Sequence, residues 1–464
     1  MPIRLLMPLL SSSRTGGVET WTDMACAHLP RHGFEPIVAL TDGVGRHDAG
    51  AYESLHPDLN TVRLDGCGRN RAGRVAEIRR VIGATRPAAV IPLGVYDAFE
   101  AVAGLKAEAG RTARRGAAPR LIARPQGNIA GLYADLFDYA PFVDLAVCPG
   151  RLAYELLTGL GGLPGDRARH IPNGVEPALR ITEPSPPDRP LRIGFVGRLS
   201  AGDKRPQDLI PLADELRRIG VPHRLQIVGD GPLRGRLADA FAGDPQVSLL
   251  GAIPRRELYE TVYPNLDVLF LASASESFGI VLVEAMRHGV VPVCSEYRGF
   301  FTERIVEPGR SGLSFPVGDL TAAAAAIRSL DADRERLSSL SSAAIAAAAR
   351  FDWSRCFADW AEELRSTLAQ RPRSADISPR PTEPPRPTSL RTRLGRRLAR
   401  FRHPDSEGGW PLFTRNRPPE QLAAIEAEMQ RIDAERRAAS FDGLSDPPAP
   451  TRTAEPSAAI GGIT

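Results

Sequence analysis

The run ESFGIVLVEAM at 276–286 holds two carboxylates, Glu276 and Glu284, with Phe278, Gly279 and Ile280 between them. An apolar strand candidate at 268–272 feeds the run. A helix beginning near Gly279 would carry Glu284 about one and a half turns in, at ~3.6 residues per turn. One carboxylate then lies in a loop at the strand's carboxyl end and the other on the following helix. The backbone N–H groups of a helix N-terminus sit between them and attract phosphate, while each carboxylate accepts hydrogen bonds from hydroxyls. A ligand with hydroxyls at both ends and phosphate in the middle is a nucleotide sugar.

A second constellation is GFVGRLSAGDKRP at 194–206. A strand ends near Val196, and Arg198 and Lys204 share the loop that follows. Two cations ahead of a helix starting after Pro206 form an anion site. The chain has only two lysines, Lys106 and Lys204, among 59 basic residues. A lysine in this loop therefore stands out, because an ammonium is a compact point charge and a guanidinium is not. The bland alternative is a surface loop with incidental charge. In IVGDGPL at 227–233, Gly229 and Gly231 flank Asp230, so the backbone could approach a ligand closely, although the pattern also describes any tight strand-to-helix turn. In SSSRTGGVE at 11–19, Gly16 and Gly17 would let a diphosphate or sugar approach from an opposite domain. This loop lacks the full G-x-G-x-x-G fingerprint, which counts against a nicotinamide enzyme.

The elements that must position these loops follow one plan twice. Residues 1–175 alternate strand candidates at 3–10, 35–40, 89–93, 121–124 and 145–148 with helix candidates at 18–31, 74–82 and 151–159. The stretch TEPSPPDRP at 182–190 reads as a linker. A second series sets strands at 192–196, 223–228, 247–250, 268–272, 291–295 and 312–315 against helices at 206–219, 232–241, 255–262, 279–288 and 321–348. Such alternation predicts parallel sheets with helices on both faces and ligands outside the strands' carboxyl ends. The expected fold class is α/β, with two facing doubly wound (Rossmann-like) domains at 1–181 and 191–352 enclosing a cleft.

Composition is that of an ordinary soluble protein: 464 residues, 42% hydrophobic, 25% charged and a net charge of +4. That charge is too balanced to imply nucleic-acid binding by the whole chain, and no nucleic-acid partner is expected. Cys26, Cys67, Cys148, Cys294 and Cys356 are scattered without metal-like spacing, which suits a reducing, cytoplasmic setting. No apolar run approaches the ~20 residues of a spanning helix, and 3–10 reads as a buried strand rather than a signal-peptide core. His28 and His32 share a helical face near Cys26, but no further ligand joins them, so no metal site is expected.

Together, ESFGIVLVEAM, VGRLSAGDK, VGDGPL, TGGVE and IPNGVEP (171–177) resemble the retaining glycosyltransferases of family four, which have the GT-B fold. The resemblance runs from about residue 3 to 360. It implies that Arg198 and Lys204 neutralise the donor diphosphate, that Glu276 holds the transferred sugar's hydroxyls and Glu284 the ribose, and that Gly16 and Gly17 lie against the donor from the first domain. Gly229, Phe278, Gly279 and Ile280 complete the donor side. It further implies a UDP- or GDP-sugar as co-substrate, no required cofactor or metal, and front-side attack without a covalent intermediate. A helix at 353–370 would cross back to the first domain. The acceptor would be a glycan or lipid-linked hydroxyl in surface polysaccharide or glycolipid synthesis. Two rivals stay open: an inactive nucleotide-sugar-binding scaffold, and a sugar-nucleotide epimerase of the same fold.

The chain departs from the family in LIARPQGN at 121–128, where Gln126 stands in place of a histidine. Glutamine donates a hydrogen bond but is no base near pH 7. Arg124 and Asn128 are its acceptor-side neighbours, or else turn and capping residues. Asp331 and Asp333, the chain's Asp-x-Asp, read as surface on the helix 321–348. Residues 371–464 form a Pro/Arg-rich tail that is expected to be largely disordered. Within it, 389–402 carries six arginines and no acid with apolar residues at helical spacing, a pattern that fits an anionic membrane surface or a solvated helix. Residues 420–437 read as a polar helix, solvated or weakly self-associating.

Overall fold

The computed structural model describes residues 1–10, 16–41, 48–64, 71–111, 118–373 and 417–441. The first sheet has seven strands, β1 (Ile3–Leu9), β2 (Phe34–Thr41), β3 (Thr61–Leu64), β4 (Ala89–Val90), β5 (Arg120–Ala123), β6 (Leu145–Cys148) and β7 (Ala168–His170), in the order β3-β2-β1-β4-β5-β6-β7. The second has six, β8 (Leu191–Val196), β9 (His223–Val228), β10 (Val247–Gly251), β11 (Val268–Leu271), β12 (Val291–Ser295) and β13 (Leu313–Phe315), ordered β10-β9-β8-β11-β12-β13. Strand pairing is parallel throughout both sheets, as in β8 on β9, where Leu191 faces His223 and Val196 faces Val228.

Near-continuous apolar strands are what a parallel sheet covered on both faces requires. Side chains alternate between the faces. Leu6 of β1 joins one core of the first domain, while Leu5, Met7 and Leu9 join the other. In the second domain, Val268 and Phe270 of β11 enter one core, and Leu269 and Leu271 the opposite one. Parallel order thus directs the carboxyl ends of β1, β8, β9 and β11, with their glycine-bearing loops, toward the space between the domains.

Among the described residues the chain crosses between the domains twice, and the crossings run side by side. Val175 bridges Asp352, and a Cβ on Gly174 would lie 2.3 Å from the nitrogen of Trp353. Asp352 caps the helix Trp353–Ala369 through Ser354 N (2.8 Å) and Arg355 N (3.2 Å). This helix packs on the first domain: Trp353, Phe357 and Trp360 join its core, with the Trp21 and Trp360 rings 4.9 Å apart. The linker at 182–190 has no regular structure, yet it is pinned: Thr182 Oγ1 donates to the carbonyls of Pro264 (3.0 Å) and Leu266 (2.7 Å).

Several expectations need correction. The helix expected at 321–348 is two, Leu320–Ala332 and Arg334–Ala348, because Asp333 leaves helical geometry and its carboxylate caps the second through Arg336 N at 2.8 Å. Asp331 pairs with Arg334. The strands β3 and β7 went unforeseen. The segment read as a solvated polar helix is the helix Pro419–Phe441, and it is docked: Ile425, Met429 and Ile432 are buried in a core of the first domain. Among the described residues no helix is long and apolar enough to cross a membrane. The basic helix expected at 389–402, and the segments 374–388 and 442–464, lie outside the described residues.

The domains also meet through Glu303, at the end of the short helix Phe300–Glu303. Its Oε1 accepts from Leu152 N (3.1 Å), at the N-terminus of the first-domain helix Arg151–Thr158. The side chain is 2% exposed, and burial pushes its carboxyl up to about 8, partly offset by hydrogen bonds from the backbone of residues 151 and 152. His170 Nε2 lies 3.9 Å from the same carboxylate, and burial pushes that imidazole down to about 4. A carboxyl raised on folding contributes stability that is complete below its unfolded value of 4.5 and is lost as pH rises through about 8. The lowered histidine contributes fully above 6.5 and loses its share only as pH falls toward 4. Of these two groups, therefore, only Glu303 acts between pH 6.5 and 8. Thermal unfolding followed from about pH 6.5 to 8.5 should show the wild-type Tm falling relative to that of Glu303→Gln. Parallel curves for the two proteins would contradict this assignment.

Candidate functional site

A cavity of about 300 Å³ opens between the domains, lined from the first by Gly16, Gly17, Arg124, Gln126 and Asn128. From the second domain it is lined by Arg198, Lys204, Gly229, Glu276, Phe278, Gly279, Ile280 and Glu284. The catalytic, donor-side and acceptor-side candidates from the sequence thus line one cavity, although they are scattered over 269 positions from Gly16 to Glu284.

Glu276 follows β11 and is 8% exposed. Its Oε1 accepts from Ser273 Oγ (2.6 Å) and Lys204 Nζ (2.7 Å), and its Oε2 lies 2.8 Å from the same ammonium. The two loops are also joined through the backbone, Ala274 N donating to the Asp203 carbonyl at 2.7 Å. From the other domain, Asn128 Nδ2 donates to the Glu276 carbonyl at 2.7 Å. The only other lysine, Lys106, is buried and paired with Asp144 in the first domain. Lys204 is therefore the lysine available to the cavity.

Gly279 caps the helix Ile280–Arg287 in the left-handed region (φ +82°), and an added Cβ would sit 3.2 Å from Leu282 Cδ1. The helix opens toward the cavity, and Phe278 anchors the loop by an edge-to-face contact with Phe351 at 5.4 Å. Gly229 (φ +136°) lines the cavity and is also required by packing. A Cβ there would lie 1.8 Å from the carbonyl oxygen of Gly197, so the β9 loop is packed on the β8 loop that carries Arg198.

Glu284 is buried beneath the cavity and already held. Tyr259 OH donates to Oε1 (3.1 Å) and Tyr263 OH to Oε2 (2.9 Å). Burial raises its carboxyl, against the two hydroxyls and the charge of Arg255, which lower it. His288 stacks on Tyr263 at 5.1 Å, with Nδ1 2.8 Å from the Glu284 carbonyl. The tyrosines were missed from the sequence, where their spacing of four was the sole signal.

On the first-domain side Gly16 precedes the helix Gly17–His28, and a Cβ on it would meet Glu19 Oε2 at 2.7 Å. Burial pushes Glu19 up to about 7, with Arg198 across the cleft among the charges opposing that rise. Arg124 is neither cap nor turn residue: its guanidinium lies 4.5 Å over Trp21 and Nη2 donates to Asn173 Oδ1 at 3.0 Å. Burial lowers its pKa to about 10. Asn128 likewise bonds across elements, to Glu276 and to Tyr133 OH at 3.2 Å. Gln126 Nε2 is buried without a hydrogen-bond partner among the described residues.

The arrangement sets a cation pair, a buried carboxylate and a helix N-terminus around a cleft closed by polar first-domain groups. That is a site for an anion with hydroxyls attached. Residues 190–333 match the family described as Glycosyl transferases group 1. Sulfoquinovosyl transferase SQD2 of Arabidopsis thaliana is 30% identical over 223 residues, 45% of this chain and 42% of that protein. D-inositol 3-phosphate glycosyltransferase of Nocardia farcinica is 32% identical over 200 residues, 41% of each chain. In both cases the chain spans less than half of the relative's length. Among solved structures, Anabaena Alr3699/HepE in complex with UDP-glucose has a TM-score of 0.61 at 20% identity, over 78% of this chain and 100% of that one. The pneumococcal O-GlcNAc transferase GtfA in complex with UDP and GlcNAc has a TM-score of 0.64 at 13% identity, over 80% and 100%. At these identities the likeness is one of fold. The match over the second domain and the shared fold support a family-four-like glycosyltransferase of GT-B architecture.

Proposed function

We propose that the protein transfers a sugar from a nucleoside diphosphate-sugar, of UDP or GDP type, to an acceptor hydroxyl with retention of configuration and without a required metal. The observation that carries this reading is the Lys204 ammonium lying 2.7 and 2.8 Å from the two oxygens of Glu276 inside the interdomain cavity. These groups neutralise one another. A donor replaces that contact from both sides, its diphosphate turning toward Lys204 and Arg198 while its sugar hydroxyls donate to Glu276.

Breaking the bond between the sugar's anomeric carbon and phosphate leaves an electron pair on the departing oxygen. Arg198, Lys204 and the N–H groups at Ile280 stabilise that charge, the task a divalent cation performs elsewhere. The acceptor oxygen attacks from the face the phosphate leaves, and its proton passes to the departing phosphate oxygen. No side-chain base is then needed, which accords with Gln126 in the first-domain wall. Its unpartnered Nε2 is a donor for a sugar oxygen. Glu284, oriented by Tyr259 and Tyr263, accepts from the ribose. A glycan or lipid-linked acceptor, and work at the inner face of a membrane, rest on the family likeness and on the six arginines of 389–402.

Nucleotide binding is tested first. UDP or GDP at a hundredfold excess over Kd should stabilise the protein by about 2.7 kcal/mol, seen as a higher Tm. If neither nucleotide moves the Tm, the reading fails. Glu276→Gln, which keeps shape and loses charge, should lower turnover ~100-fold or more while nucleotide affinity stays within about threefold. Replacing Tyr259 and Tyr263 together by Phe should weaken nucleotide binding about tenfold, since Glu284 loses both hydroxyls that aim it. Unaltered affinity in that double variant would remove Glu284 from the ribose site.

A further inference from the structure

The helix Pro419–Phe441 joins the two domains by different means. Toward the first domain it turns an apolar stripe, Leu422, Ile425, Met429 and Ile432, into the core, flanked by Arg417 on Asp135 (2.6 Å) and Arg436 on Glu155. Toward the second it is polar and grips one short segment, 296–302. Asp433 accepts from Gly299 N (3.2 Å) and Thr302 Oγ1 (2.9 Å), so it caps the helix Phe300–Glu303. Glu426 pairs with Arg298, and Arg437 pairs with Glu296 (3.0 Å) with its guanidinium over the Phe301 ring.

That segment backs the Glu276 loop. Arg298 bridges Ser275, its N–H donates to the Ala274 carbonyl (2.9 Å), and its carbonyl accepts from Glu276 N (3.4 Å). Its guanidinium reaches the other domain, Nη1 donating to the Asn128 carbonyl at 3.2 Å. The chain beyond the shared fold is substantial: solved neighbours are covered over 99–100% of their length by 78–80% of this chain.

We infer that the helix Pro419–Phe441 is a positioning strap: anchored in the first domain, it holds Arg298 and the 296–302 segment so that the Glu276 loop is fixed against Asn128. The inference rests on the proposed donor site for its kinetic consequence, and on geometry alone for its structural one. Glu426 and Asp433 touch neither cavity nor donor; they act through Arg298 and Gly299. Loosening them frees the carboxylate that grips the sugar and leaves the nucleotide end, at Glu284 and Gly229, as it was. The strap therefore bears on turnover rather than on nucleotide affinity.

The test is the full chain carrying Glu426→Gln and Asp433→Asn, which keeps the apolar stripe intact and the helix docked. Hydrogen exchange read by mass spectrometry should rise about tenfold in peptides covering 275–278 and 296–302, with strands of both sheets unchanged. UDP affinity should stay within twofold, while UDP release from UDP-glucose falls about tenfold. Glu426→Asp, which restores the charge, should recover part of that loss. Unaltered exchange in the two segments overturns the strap, as does a rise spread through both domains or a loss of UDP affinity equal to the loss of turnover. If the wild type neither binds UDP or GDP nor releases UDP, it is the donor reading that fails, and the exchange measurement still decides the strap.

Discussion

A hydrogen bond from the Asn128 amide to the Glu276 carbonyl joins the two domains at the candidate site. On that contact the rest of the site depends. Glu276 lies in a loop, and a loop carboxylate has no direction of its own. It acquires one here because Ser273 and Lys204 hold its oxygens while Arg298 and Asn128 hold its backbone. The cations alone would make an anion site on one domain. Polar groups of the opposite domain turn it into a cleft that can exclude water around a reacting bond, where fixed charges act more strongly than in solvent.

The central strands β1, β8 and β11 were legible because they are mostly apolar, as a parallel sheet buried on both faces requires. β3 (Thr61–Leu64) and β7 (Ala168–His170) were not, being short, edge-placed and partly polar. The helix break at Asp333 was hidden by an alanine-rich background on both sides, where a single capping carboxylate decides the outcome. In Pro419–Phe441 the stripe of Leu422, Ile425, Met429 and Ile432 can be seen in the sequence, but its narrowness among many charges concealed that a groove exists to receive it.

The candidate site was legible where chemistry and backbone geometry coincide in a few consecutive residues, as in the loops around Glu276 and Lys204. Groups that act through tertiary contact carried no local signal. Arg298 and Glu303 sit in an unremarked stretch of sequence, and Tyr259 and Tyr263 look like one face of any amphipathic helix. Gly229 lines the cavity and has a second role that the sequence did not show. Its missing side chain accommodates the neighbouring chain at Gly197, which shapes the loop bearing Arg198 and so serves the ligand at one remove.

The scarcity of lysine has a practical side. With Lys106 1% exposed and tied to Asp144, the chain presents one other side-chain amine, and it lies in the cleft. Its side chain is 19% exposed, so reagents that acylate or reductively alkylate amines have a single interior address on this protein, besides the N-terminus. The label would stand beside Glu276, and its fractional yield would report directly how much of the cleft is occupied.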